Sequence, residues 1–252
     1  MSGPRGPETR IDGVSSTSAL ESFLDKWRTR WPEWSVAEPF VAPPQRELAV
    51  AWFALLQELD DMLNTQGDPL PADAKLAWWG EELRSWASQR SRHPLGRLLE
   101  PVRAPWAELA EALPDLVQAR AVAMDAAAAE QALARYGQAV AAVEAVLFAP
   151  ARGPAPAAGA GRAVVLQTLA QRLHDAGVAA IPRTLLDAHG EHAGRQWAGQ
   201  LLQAWPARVP GPRPRRIWAR LARARLAAQA GGQPVQATPL RTLLRVWWAA
   251  RG

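Results

Sequence analysis

Glu58-Leu59-Asp60-Asp61-Met62-Leu63-Asn64 sets two adjacent carboxylates inside an apolar helical repeat. Asp60 and Asn64 lie one helical turn apart and share a face, with Asp61 beside them. Side-chain oxygens at that spacing converge on hard cations such as Mg²⁺, which in turn bridge to substrate phosphates. A complete Asp-Asp-x-x-Asp run would be richer by one carboxylate, because here Asn64 closes the pattern. The same pair on an amphipathic helix also reads as a solvated acidic face.

Other chemistries find less support. The chain has no cysteine, which excludes disulfides, thiolate metal sites and a cysteine nucleophile, and fits a reducing, cytoplasmic setting. His189 and His192 form a possible metal pair, but only Asp187 and Glu191 are near enough in sequence to complete it, in what reads as a surface turn. There is no nucleophile elbow and no Gly-rich phosphate loop.

Charge is segregated. The net charge of +5 combines 18 Lys/Arg against 24 Asp/Glu in residues 1–191 with 11 Arg and no acid in residues 192–252. Arg213, Arg215, Arg216, Arg220, Arg223 and Arg225, with Trp218 among them, are open to solvent, anionic lipid, an acidic protein partner or, least of these, nucleic acid. Trp247-Trp248, near Arg245 and Arg251, suits a membrane interface. No uncharged apolar run approaches the roughly 20 residues that span a bilayer, so membrane contact would be peripheral.

The elements that must position these residues are all helical, since apolar residues recur at helical spacing and no period-two run stands out. Residues 1–18 read as a disordered tail without an apolar signal segment, and 19–252 as one domain. Leu48, Trp52, Leu55, Leu56, Leu59, Met62 and Leu63 stripe a helix bounded by Pro43-Pro44 and Gly67-Asp68-Pro69. Further helices are predicted over about 71–88, 105–118 and 125–148. The alanines of the last of these permit close approach by neighbours. Ala149 to Gly161 reads as a flexible connection. Helices near 162–176, 194–205, 215–229 and 239–250 follow, with Pro206 to Pro214 too close to the end to be a domain boundary.

The order of landmarks carries a family resemblance. Arg46-Glu47-Leu48-Ala49-Val50-Ala51-Trp52-Phe53 leads into the Asp60-Asp61 pair; Lys75-Leu76-Ala77-Trp78-Trp79-Gly80-Glu81-Glu82-Leu83 and Arg92-His93-Pro94-Leu95 follow. Tyr136-Gly137-Gln138-Ala139-Val140, Leu166-Gln167-Thr168-Leu169, the stretch from Ile181-Pro182 through Leu185-Leu186 to His189-Gly190, and Arg241-x-x-Leu244-x-x-Trp247 complete the series. Over about residues 20–250 the chain resembles the squalene/phytoene synthase family.

The resemblance implies a single-domain all-α helical bundle of the isoprenoid (terpenoid) synthase type. In active members of that family two aspartate-rich helices face each other across a cavity, hold Mg²⁺, and condense two prenyl diphosphates head to head. Carried over by position, it implies Asp60, Asp61 and Asp175 as metal ligands, and Arg46, Gln167 and Arg172 as substrate-binding residues. The second motif survives only as Arg172-Leu173-His174-Asp175, and a diphosphate whose charge is not neutralised ionises poorly. The expectation is therefore an impaired or inactive synthase-like protein that binds an isoprenoid, another lipid or a partner protein. An active Mg²⁺-dependent prenyltransferase with a reduced site, and a basic helical interaction module, are the alternatives.

Overall fold

The computed structural model describes residues 12–148, 156–233 and 239–251, the side chains of 12–18, 239–241, 245 and 251 excepted. Among the described residues the chain is helical and contains no strand, which is the all-α class expected. Four helices precede the His-Pro turn: α1 (Asp12–Arg30), α2 (Trp34–Ala37), α3 (Arg46–Leu63) and α4 (Leu70–Ala87). Five follow it: α5 (Gly96–Leu99), α6 (Trp106–Ala112), α7 (Pro114–Gln118), α8 (Ala126–Ala132) and α9 (Ala134–Leu147). The rest are α10 (Ala160–Ala176), α11 (Arg183–His189), α12 (Ala193–Ala204), α13 (Arg213–Ala230) and α14 (Pro239–Arg251).

Two helices run through the centre. From Ala49 to Leu63 every α3 residue except Asp61 is buried, and α10 is buried almost throughout from Ala160 to Leu173. Helices apolar on all sides belong in a core, not on its surface. The two touch each other, with α1 and α4 against α3 and with α9, α12 and α13 against α10. Leu20, Leu24 and Trp27 of α1, with Trp31 just past its end, repeat at intervals of four, three and four and lay one continuous apolar stripe on this centre. Trp27, Trp34, Phe53 and Trp218 meet there ring against ring at centroid separations of 4.3 to 5.9 Å, filling the space between α1, α2, α3 and α13 with aromatic surface.

Several boundaries differ from the sequence expectation. Helix α1 begins at Asp12, inside the stretch assigned to a tail; residues 1–11 lie outside the described residues, as does most of the expected 149–161 connection. The helix expected over 105–118 is two, because Pro114 has no N–H to continue α6 and instead starts α7. The helix expected over 125–148 is also two, meeting at Leu133, where the backbone leaves helical geometry at φ −106° and ψ 4°. Asp125 caps its start, accepting a hydrogen bond from Ala128 N at 2.8 Å. The turn read around Asp187 is the helix α11, tied to the chain before α8 by Arg183 N–Ala123 O and Thr184 N–Met124 O bonds of 2.9 and 3.0 Å.

Candidate functional site

Asp60 and Asp61 occupy the last turn of α3, and Asp175 the last turn of α10. The fold brings them together: the fields of Asp175 and Asp61 both act on Asp60. Asp60 is 2% exposed, its Oδ1 has no hydrogen-bond partner, and burial followed by those two charges pushes its pKa well above the ordinary value. Asp60 is thereby held toward its neutral form.

Positive charge from α1 and α4 meets the other carboxylates. Arg30 Nη2 lies 2.6 Å from Asp175 Oδ2 and 3.9 Å from Asp61 Oδ1. Lys26 Nζ lies 2.6 Å from Glu58 Oε1 and 3.5 Å from Asp61 Oδ2, and Lys75 pairs with the other Glu58 oxygen. Burial alone would raise the Glu58 carboxyl; hydrogen bonds and attraction from Lys26 and Lys75 outweigh it and hold the group below its usual value. Three cations thus face three carboxylates, with Asp60 beside them. Arg30 stands between Asp61 and Asp175, the place a bridging ion would take. A Mg²⁺ ion needs oxygens at about 2.0–2.1 Å in near-octahedral array, and a guanidinium already bound to the ligands repels it. Among the described residues no group of three His, Asp or Glu side chains is placed to hold a metal ion. The residues present do not fit Mg²⁺.

The substrate-binding expectations divide differently. Arg46 starts α3, roughly 21 Å along the helix from Asp60 at 1.5 Å per residue, and donates to Val41 O and Pro39 O at 3.1 and 3.3 Å. It shapes the entry turn and does not join the acidic cluster. Arg172 is buried and caps the end of α3, donating to Leu63 O at 3.1 Å and Asn64 Oδ1 at 3.2 Å, and to Arg120 O at 2.8 Å. A cation at a helix C-terminus is well placed against the dipole, while burial and then Arg120 lower its pKa. Its donors are thus turned to backbone and to Asn64, not to a ligand. Gln167 accepts a 2.9 Å hydrogen bond from Arg215 Nη1, and its Nε2 is buried without a partner.

Sequence reasoning missed the group that Gln167 joins. Arg215 is an ion-pair partner of Glu144, with its Nε 2.9 Å from Glu144 Oε1; Trp52 Nε1 donates to the same oxygen at 2.8 Å. The Arg215 guanidinium also sits over Trp218, 4.9 Å from the ring centroid. Glu144, alone among the apolar residues of α9's buried face, was the available signal. Glu82 was a comparable one. Fully buried between Leu76, Trp79 and Leu83, it accepts bonds from Arg92 N at 2.6 Å, His93 N at 2.8 Å and Trp86 Nε1 at 2.9 Å, and so builds the His-Pro turn.

One small cleft opens beside Asp175. The cleft lined by Arg30, Gln171, His174, Asp175 and Arg225 encloses about 20 Å³, room for a water molecule and not for a diphosphate. The His189 and His192 pair gathers no ligand set either; His192 Nδ1 lies 3.0 Å from Arg195 Nη2.

A second concavity lies at the basic end. Trp205, Val209, Arg208, Arg216, Arg220, Arg223 and Trp248 border a cavity of about 350 Å³ between the α12–α13 connection, α13 and α14. Comparison with protein-family models, with curated proteins and with solved structures gives no match.

Proposed function

We propose that this protein is a squalene/phytoene synthase-like helical scaffold that does not condense prenyl diphosphates and acts instead by binding an isoprenoid or other lipid, or a partner protein. The observation that carries this reading is the position of Arg30 between Asp61 and Asp175. In a working synthase those carboxylates would need to be free to recruit Mg²⁺. Here α1 supplies the counter-charge from within.

The test is Mg²⁺-dependent pyrophosphate release from farnesyl and geranylgeranyl diphosphate, with the Asp60→Asn/Asp61→Asn variant as the control. The expected result is release no faster than in the control. Release by the parent protein that the control abolishes would establish an active prenyltransferase on a reduced site and overturn the proposal.

A further inference from the structure

The arginines of α13, one undifferentiated run in the sequence, have separate fates in the fold. Arg215 is consumed by Glu144 and Arg225 by Glu33, to which its Nη2 donates at 2.6 Å. Arg216 donates to Ala249 O and Gly211 O, both at 3.2 Å. Arg208, Arg220 and Arg223 make no ion pair or hydrogen bond among the described residues, yet all three line the 350 Å³ cavity, and Arg220 and Arg223 are half-buried there. Arg216, Arg220 and Arg223 are spaced by four and three residues and so lie along one face of α13. Because residues 192–252 contain no acid, their own sequence neighbours cannot neutralise them.

Half-buried guanidiniums without counter-ions focus positive potential into a concavity and hold geometry suited to oxyanions. Beside them, burial and then the charge of Arg213 lower the Arg216 pKa. The rim is apolar. Trp248 is 66% exposed and borders the cavity, and Leu244, one turn earlier on the same face of α14, is 61% exposed. A soluble phosphate would have no use for that rim. A tryptophan ring settles at the headgroup level of a bilayer, and unpaired arginines beside exposed apolar side chains are what an interfacial helix presents.

Size decides how much of a lipid enters. A volume of about 350 Å³ is at the low end of the roughly 300–1,000 Å³ of small-molecule pockets, enough for a headgroup and the first carbons but not for a whole lipid. We infer that this cleft binds the phosphate headgroup of an anionic membrane lipid, with Arg208, Arg220 and Arg223 on the phosphate and Trp248 and Leu244 in the bilayer surface. The inference gives the lipid-binding part of the function above a place and a ligand chemistry, and it does not depend on the fate of the acidic cluster.

Flotation of the full-length protein with vesicles tests it. Vesicles of phosphatidylcholine alone are compared with vesicles that also contain phosphatidylglycerol. The parent protein is expected to float with the anionic vesicles and not the neutral ones, with binding that weakens as salt rises. Arg220→Glu/Arg223→Glu should lose at least about tenfold in apparent affinity, and Trp248→Ala several-fold. The control, Arg90→Glu/Arg97→Glu, reverses two exposed, unpaired charges away from the cleft and should stay within about twofold. Circular dichroism verifies folding, and Arg220→Gln/Arg223→Gln replaces the charge reversal if that variant fails to fold. No flotation with anionic vesicles, equal losses in cleft and control variants, or calorimetric binding of glycerol phosphate without vesicle binding would each overturn the inference. Pyrophosphate release is read separately, so the two proposals fail independently.

Discussion

Asp60 is a residue whose surroundings couple folding to pH. An acid whose pKa is higher folded than unfolded binds its proton more tightly in the folded state, so its contribution favours folding at low pH and is lost as pH rises from 3.8 through the folded value. Asp60→Asn removes that dependence. At pH 7 the variant should be more stable than the parent, on the order of 1 kcal/mol, or about 2–4 °C in a chain of this size. Below the unfolded value of 3.8 the gain should vanish, because both proteins then carry a neutral group there. Thermal unfolding across pH measures it, and a loss of stability at pH 7 would mean that the ionised form has a cation partner. His93 acts with the opposite sign: burial first lowers its pKa to about 4, so its contribution is present above 6.5 and is lost as pH falls toward 4. The difference between variant and parent cancels the histidine and isolates Asp60.

Between elements, α9 and α10 approach closely, and Gly137 makes that approach possible. A Cβ on Gly137 would lie 2.5 Å from Gly161 O and 2.6 Å from Val165 Cγ2, one of them backbone that has no rotamer to yield. Gly137→Ala should therefore destabilise by about 1–3 kcal/mol even though alanine is the better helix former. Chemical denaturation reads the sign directly; a stabilised variant would show that the helices can separate without cost. The close packing expected of this region was legible from its small residues. So were α3, α4, α10, α12 and α13, because sustained helical periodicity is bracketed by Pro or Gly. Other features left no local trace. Leu133 ends α8 with no Pro or Gly at the break, and the start of α1 is Ser/Thr-rich, without an apolar repeat to announce a helix. The candidate site was half legible: the sequence located Asp60, Asp61 and Asp175, but not the cations that meet them. Arg30 and Asp175 are 145 positions apart, and no spacing rule reaches across that distance.

At the scale of the whole molecule, the segregated charge is partly stitched together in the interior. Arg215 from the basic end joins Glu144 of α9, Gln167 of α10 and, through Glu144, Trp52 of α3, so one buried ion pair connects four helices that are distant in sequence. Breaking such a pair from one side leaves an uncompensated buried charge and costs about 3–5 kcal/mol, whereas replacing both partners by apolar groups of similar volume is often neutral. Arg215→Met should accordingly lower the midpoint of thermal unfolding by roughly 6–20 °C, and Arg215→Met/Glu144→Met should recover most of that loss. Calorimetry also tests whether the Pro-rich segment before α13 separates two folding units. Helix α13 packs against α10 and α12, and a shared core predicts that the parent and both variants unfold in a single transition. If Arg215→Met instead melted in two steps, with the later one unshifted, the basic end would be an independently folding unit. Equal losses in the single and double variants would place the stabilisation in the stacking of the Arg215 guanidinium over Phe53 and Trp218, not in its pairing with Glu144.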